Sequence, residues 1–282
     1  MKKTKEELID VFENTVKDIN QGYYENLNGE VIEFEKDLEM LNNSRLIHSI
    51  SEQKTKFNIN HEPKITVENK DSFQKAREMG EDCLVLDMAS AVSAGGGVEN
   101  GSRAQEEELC RRSNLSHALF KYSSRKYNIF SDLEKPKKFH YPIDDFGAIY
   151  VPKVTVYKSH LSYNPMYEPF YCSVVAVAAI RKPKLDKQGL LTEEDSIITR
   201  GKIRTILRVA VKYGHTKLVL GALGCGAYGN PPEQIAILFK EVLAEKEFIG
   251  CFEEICFAII EDKNSLHSGK RGNYKPFKEI FK

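Results

Sequence analysis

The sequence predicts an α/β sandwich built on a buried, mainly parallel sheet, with a helical segment added at the N-terminus. Three observations point there. From about residue 63 onward, short β-branched runs alternate with segments of helical period. Two of those runs, CLVLDMA (83–89) and KLVLGAL (217–223), are apolar almost throughout, as strands covered on both faces are. Each leads directly into a glycine-rich loop and then a helix, and in open α/β sheets such loops at strand carboxyl ends receive ligands.

The elements follow in order. Leu8, Ile9, Phe12, Val16 and Ile19 recur at helical spacing over residues 5–19. A weaker helix spans about 35–48, and a polar connection runs to about residue 62. ITVEN (65–69) reads as a strand, SFQKAREMG as a helix ending at Gly80, and CLVLDMA as a buried strand. After the first glycine loop one helix is expected from Ala104 to Lys126. AIYVPKVTVYK (148–158) and FYCSVVAVAAI (170–180) are strands, and the polar stretch Arg181 to Asp195 is expected to be a mobile loop. A helix over 196–213 precedes KLVLGAL, the second glycine loop and a helix over 231–246; the strand EEICFAII (253–260) and a terminal helix close the chain. No internal repeat or low-complexity linker interrupts this order.

Composition narrows the function. The 41% hydrophobic and 29% charged residues are those of an ordinary globular protein, and 41 basic residues against 41 acidic ones give no bulk attraction to nucleic acid or membrane. The opening MKKTKEELIDVFENTV lacks a signal-peptide core and no run is long enough to cross a bilayer, so a cytoplasmic protein without a membrane partner is expected. The six cysteines form no CxxC and read as reduced, mostly buried thiols. The seven histidines make no spaced pair that reads as a metal site, so no metal is expected; separately, no cofactor is expected either.

The two loops carry the chemistry. Glycine admits positive φ and close backbone approach, so successive amides can face an anion, and two such loops suggest a ligand with two phosphates. The first is Gly95-Gly96-Gly97; the second is GALGCGAYGNPP, with Pro231 or Pro232 suited to the first turn of the next helix. Gly224-Cys225-Gly226-Ala227-Tyr228-Gly229 matches the dinucleotide fingerprint GxGxxG, but the acidic residue expected about 20 positions on, at the end of the next strand, comes too late, since that strand ends at Glu261-Asp262. Gln105, Glu106, Glu107 and Glu108 fall in the first turn of the helix after the triplet, where the helix dipole alone would favour carboxylates. Next to a loop that can hold a phosphate-linked sugar, a carboxylate there is also placed for glycosidic acid–base chemistry. Neighbouring helical residues point about 100° apart, so they cannot flank a bond as a facing pair. One glutamate acting first as acid and then as base fits better, its neighbour holding a sugar hydroxyl.

GGG, seven residues and then QEE, within AQEEELCRRS, resembles the signature of the bacterial-type poly(ADP-ribose) glycohydrolases, a family built on a macro domain. LVLGALGCGAYGNPP is similar to the family's LVLGAWGCGxFGNxP, and the likeness extends through TVKDINQGYY, FYCSVVAVAAI, EEICFAIIED and NYKPFKEIF. The resemblance implies a three-layer α/β/α macro domain over residues 63–282, with residues 1–62 as a helical extension packed on it. It implies hydrolysis of ribose–ribose bonds in poly(ADP-ribose) to release ADP-ribose, with the polymer or an ADP-ribosylated protein as partner and a monomer as the working form. Glu107 would be the catalytic acid/base and Glu106 would position the sugar hydroxyls or leaving oxygen. Ser93, Gly95, Gly96, Gly97, Val98 and Gln105 would lie at the terminal ribose and diphosphate; Gly224, Cys225, Gly226, Ala227 and Tyr228 would form the second diphosphate loop. Where the family often reads NFASAxNPGGG this chain has DMASAVSAGGG, so Asp87 and Ser93 replace asparagines and Ala94 replaces proline; Leu223 replaces a tryptophan. Those exchanges leave two alternatives open: removal of single ADP-ribose units from proteins or nucleic acid, and an ADP-ribose-binding module without turnover.

Arg111 and Arg112 are expected to form internal ion pairs, and the basic clusters at Lys135–Lys138 and Lys182–Lys184 to be solvated loops. Tyr23, Tyr24, Tyr163, Tyr167 and Tyr171 could meet an adenine or ribose, but an aromatic is more often packing.

Overall fold

The apolar runs pair into a central sheet in a computed structural model that describes residues 3–54, 59–138, 140–261 and 272–282. In chain order the elements are α1 (Lys5–Gln21), β1 (Tyr23–Glu25), β2 (Val31–Glu33), α2 (Asp37–Asn43), β3 (Arg45–Ile47), β4 (Lys64–Glu68), α3 (Ser72–Met79), β5 (Leu84–Ala89), α4 (Gln105–Arg112), α5 (Leu115–Phe120), β6 (Ala148–Lys158), β7 (Pro165–Ala178), α6 (Glu193–Tyr213), β8 (Lys217–Leu220), α7 (Pro232–Leu243), β9 (Glu254–Ala258) and α8 (Tyr274–Ile280). Seven strands lie in the order β3-β6-β7-β5-β8-β9-β4, with β1 and β2 forming a separate hairpin. The pairs β3–β6 and β6–β7 are antiparallel, and the pairs from β7 to β4 are parallel.

Strand alternation then builds two cores. On β5, Val85 and Ala89 face a layer containing Phe12 of α1, Phe73 of α3, Leu109 of α4 and Phe120 of α5. Leu84 and Leu86 face the other layer, with Leu207 of α6, Phe239 of α7 and Phe277 of α8. The result is the expected three-layer sandwich with a mixed, mainly parallel sheet. All six cysteines are buried and none is in a disulfide. No described helix is long and apolar enough to cross a membrane.

Three local expectations give way. The helix expected over 35–48 is only α2; Ser44 turns extended and the chain pairs along β6 as β3, where edge hydrogen bonds outweigh weak helix propensity. The helix expected from Ala104 to Lys126 is broken at Ser113, whose φ of −150° is extended and which bridges to Val156. There the Ser113 hydroxyl donates back to Leu109 O at 2.7 Å, and Asn114 is locked to Thr155, its Oδ1 accepting from the Thr155 amide at 2.8 Å. Short polar side chains offered the backbone an alternative to the helix, and took it. The stretch from Arg181 is tied down: Leu185 bridges Leu191, Asp195 Oδ2 accepts from the Lys184 amide at 2.7 Å, and α6 already starts at Glu193 behind a Thr192 cap. Asp262 lies outside the described residues.

The N-terminal helix bears directly on the site. Thr15 Oγ1 donates to Arg111 O at 2.8 Å and Arg111 Nε donates to Leu8 O at 3.2 Å, so α1 is stitched to the back of α4. Gly101, at φ +67°, admits the carbonyl of Lys5 where a Cβ would collide.

Candidate active site

Because β5 and β8 are adjacent and parallel, their two glycine loops leave the sheet at the same edge. This is the crevice position of an open α/β sheet. Beside Leu84 and Val85, β5 pairs with β8; higher up, Gln105 takes over as a surrogate strand. Its Oε1 accepts from the Met88 amide at 2.9 Å and its Nε2 donates to Leu86 O at 2.6 Å. The first side chain of α4 thereby fixes the helix start against the strand, and the next two residues are the glutamates.

Both glutamates are buried and turned toward the first glycine loop. Glu107, 6% exposed, accepts from the Gly97 amide through Oε1 at 2.8 Å and from the Ala104 amide through Oε2 at 2.9 Å. A carboxylate oxygen carries two lone pairs, so each retains capacity for substrate. Glu106, 3% exposed, accepts from the Ser90 amide through Oε2 at 2.7 Å, while its Oε1 is buried without a hydrogen-bond partner. Burial and then the neighbouring charge of Asp87 push the Glu106 carboxyl well above the ordinary range; the Ser90 and Gly95 amides pull the other way.

The glycine triplet is required by this contact. Gly95 and Gly96 adopt φ of +65° and +56°. A Cβ on Gly96 would overlap Glu107 Oε1 and come within 3.1 Å of Glu106 Oε2; one on Gly97 would overlap the Ser102 hydroxyl. The Gly97 amide faces the protein's own carboxylate, and the Gly96 amide donates to Ser93 O at 2.9 Å. Ser93 closes the turn, donating from Oγ to Gly96 O at 3.0 Å, with its own amide on Ser90 Oγ at 3.2 Å. Val98 is fully buried beneath the loop, in the α4-side core.

Asp87 is the anomaly of the site. It is 0% exposed, on the same face of β5 as Val85, and neither oxygen has a hydrogen-bond partner. Burial, and then the charge of Glu107, raise its carboxyl well above the usual range.

The second loop is shaped by Asn230, which the sequence did not single out. Its Nδ2 donates to Ile180 O at 2.8 Å and to Gly224 O at 3.1 Å, and Gly224, at φ +73°, leaves no room for a Cβ against it. Cys225 is buried, whereas Gly226 and Ala227 are exposed, and nothing lies within 4 Å of a Cβ on Gly226. Tyr228 packs on the second core and its carbonyl accepts from the Lys182 amide at 2.9 Å. Pro231 caps α7 and Pro232 opens it.

Other residues fall where packing needs them. Arg111 pairs with Glu108 at 3.0 Å and Arg112 with Asp71 at 2.7 Å, both internally. Lys135, Lys137, Lys138, Lys182 and Lys184 are exposed. Tyr24 is buried with its hydroxyl on Met166 O, and Tyr163 donates to Glu108. Among the described residues no group of three or more His, Cys, Asp or Glu is arranged to hold a metal ion.

An α/β sandwich that sets two buried glutamates against a glycine turn, at the carboxyl edge of its parallel strands, has the parts for acid–base chemistry on a bound sugar. The family follows from comparison. The microbial-type PARG catalytic domain matches residues 13–159, over half of the chain, and the chain belongs to that family. The fold is that of poly(ADP-ribose) glycohydrolase from Thermomonospora curvata, at 24% identity and a TM-score of 0.76, covering 98% of this chain and 99% of that one. The same enzyme bound to the inhibitor ADP-HPD superposes with a TM-score of 0.75 over 97% and 99%, also at 24% identity. Poly(ADP-ribose) glycohydrolase from Deinococcus radiodurans in complex with ADP-ribose matches at 23% identity and 0.66, over 89% of this chain and 99% of that one. No curated protein sequence matches.

Proposed function

We propose that this protein hydrolyses the ribose–ribose O-glycosidic bonds of poly(ADP-ribose), releasing ADP-ribose, with Glu107 as the general acid and then base. The observation that carries the reading is the pair of buried glutamates held by the amides of Ser90, Gly97 and Ala104 against a turn that only glycine can make. In the first half of the reaction a carboxylic acid protonates the leaving ribose oxygen as the anomeric carbon gains oxocarbenium character; in the second, the resulting carboxylate takes a proton from the attacking water. Glu106, buried with its Oε1 unpartnered by the protein, holds a ribose hydroxyl and fixes the sugar. Membership of the microbial-type PARG family supports the substrate class, and ADP-ribose in the D. radiodurans enzyme supports the ligand. The exposed Gly226–Ala227 backbone of the second loop is the approach for the diphosphate.

The test is release of ADP-ribose from polymer by wild type and Glu107→Gln. Loss of about 100-fold or more in kcat is expected for removal of a positioned acid–base group. Equal rates would reject the role given to Glu107. Asp87, standing where the family often has asparagine, favours a second reading in which single ADP-ribose units are the better substrate; a mono-modified substrate that is left intact removes it.

A further inference from the structure

We propose that Lys126 is a positioning residue of this site, clamping the first glycine loop by its carbonyls so that the loop's amides stay on the catalytic glutamates; the idea rests on the glycosidase reading above. The Lys126 ammonium donates to Ala94 O at 2.9 Å and to Gly96 O at 3.1 Å, and pairs with Glu99 Oε2 at 2.6 Å. These contacts use its three donors. Its side chain is 12% exposed, with the ammonium 5.2 Å from the Phe120 ring centroid.

The pairing of atoms gives the clamp its meaning. The carbonyl of Gly96 and the amide of Gly97 are two ends of one rigid peptide plane. Lys126 holds one end while Glu107 Oε1 takes the other at 2.8 Å. The carbonyl of Ala94 and the amide of Gly95 form a second such plane, gripped by the same ammonium. Glycine visits positive and negative φ about equally, so planes between glycines can flip at little intrinsic cost. A flip of the Gly96–Gly97 plane would turn the amide away from Glu107 and point a carbonyl oxygen at its carboxylate. A charge-assisted bond to each carbonyl selects against that state, and polarising the peptide from its carbonyl end makes its N–H the stronger donor.

A purely structural lysine, pairing Glu99 to hold the turn at Val98–Asn100, would affect stability and not the chemical step. Wild type, Lys126→Met and Lys126→Arg are compared for kcat and KM on polymer, thermal midpoint, and hydrogen exchange of the Gly97 amide by NMR. Expected for Lys126→Met is a folded protein whose kcat falls about 10- to 100-fold with KM within about threefold, and whose Gly97 amide exchanges faster. Lys126→Arg, keeping charge and donors, is expected to recover most of kcat and the Gly97 protection. Wild-type kcat with wild-type exchange in Lys126→Met overturns the proposal, as does a rise confined to KM, which would make Lys126 a ligand contact. Should Lys126→Met not fold, Lys126→Arg decides: retained kcat and protection support the clamp, and loss of both overturns it. A wild type that releases no ADP-ribose would sink the functional reading, while the exchange comparison would still judge the clamp.

Discussion

Gly96→Ala is the sharpest perturbation of the site, because one methyl group meets two separate obstacles. At φ +56° an alanine sits in the left-handed region, at a cost of about 1–2 kcal/mol. Its Cβ would also occupy the space of Glu107 Oε1 and crowd Glu106 Oε2, so the carboxylates must retreat. Retreat breaks the Gly97–Glu107 hydrogen bond, and bonds to charged groups contribute about 1.5–3 kcal/mol. The two effects together predict a loss of about 2.5–5 kcal/mol, or roughly 5–20 °C in thermal midpoint for a chain near this size. Activity suffers more, since displacing an acid–base group by about 1 Å costs on the order of 100-fold. Calorimetry and ADP-ribose release on one preparation check both. Gly226→Ala is the matched control: its φ is not positive and nothing lies within 4 Å, so stability should stay within about 0.5 kcal/mol. If Gly96→Ala melts and turns over like wild type, the glycine turn does not set the glutamates and the reasoning fails.

Asp87→Asn should change how stability depends on pH. The folded protein holds the Asp87 proton above the ordinary value of about 3.9, so wild-type stability is full below that pH and declines as pH rises through the raised pKa. Asparagine has no such loss, so the variant should gain on wild type as pH rises; thermal midpoints against pH that run parallel would refute this. His117 behaves as the cationic counterpart. Burial opposes its charge, but Asp37 at 2.9 Å and Asp132 at 2.8 Å outweigh it and its pKa is raised. Its stabilisation is full below about pH 6.5 and lost as pH rises through the raised value. His117→Asn should therefore be most deficient below about pH 6.5 and approach wild type as pH rises through the raised value, in the same melting series. Arg112→Met would strand the buried Asp71 carboxylate and should cost about 3–5 kcal/mol in denaturant unfolding, with Asp71→Asn in the same chain recovering part of it.

What the sequence made legible follows from which interactions are local. The periods of β5, α6 and α7 are written in runs of apolar residues, and the glycine loops in residues with few other uses, so both could be read directly. The break at Ser113 could not, because it depends on Thr155 and Val156, some forty positions away, arriving to accept the chain. The same holds for β3, a strand only because β6 lies beside it. In the site, the glutamates and glycines were legible as a spacing, but their partners are backbone atoms of Ser90 and Ala104, which carry no residue-type signal. Lys126 and Asn230 act on main-chain carbonyls and were invisible for the same reason, although the asparagine stood inside a recognised motif.

The two glycine loops look alike in sequence and differ in what faces them. The natural expectation for a glycine triplet at a strand end is a bare row of amides offered to phosphate. In this chain the Gly97 amide is spent on Glu107, and the Gly96 carbonyl is held by Ser93 and Lys126. A loop bonded on both edges is a poor anion trap and a good rigid mount. The second loop is tied at its shoulders, by Asn230 on Gly224 and by Lys182 on Tyr228, and within itself by the Gly229 amide on Gly226 O at 3.1 Å, while Gly226 and Ala227 are exposed. On the proposed function the labour divides: one loop sets the acid and base, and the other is the approach for the pyrophosphate. Alanine at Gly96 should accordingly strike kcat and alanine at Gly226 should strike KM, so a single substitution made at two look-alike glycines separates catalysis from binding.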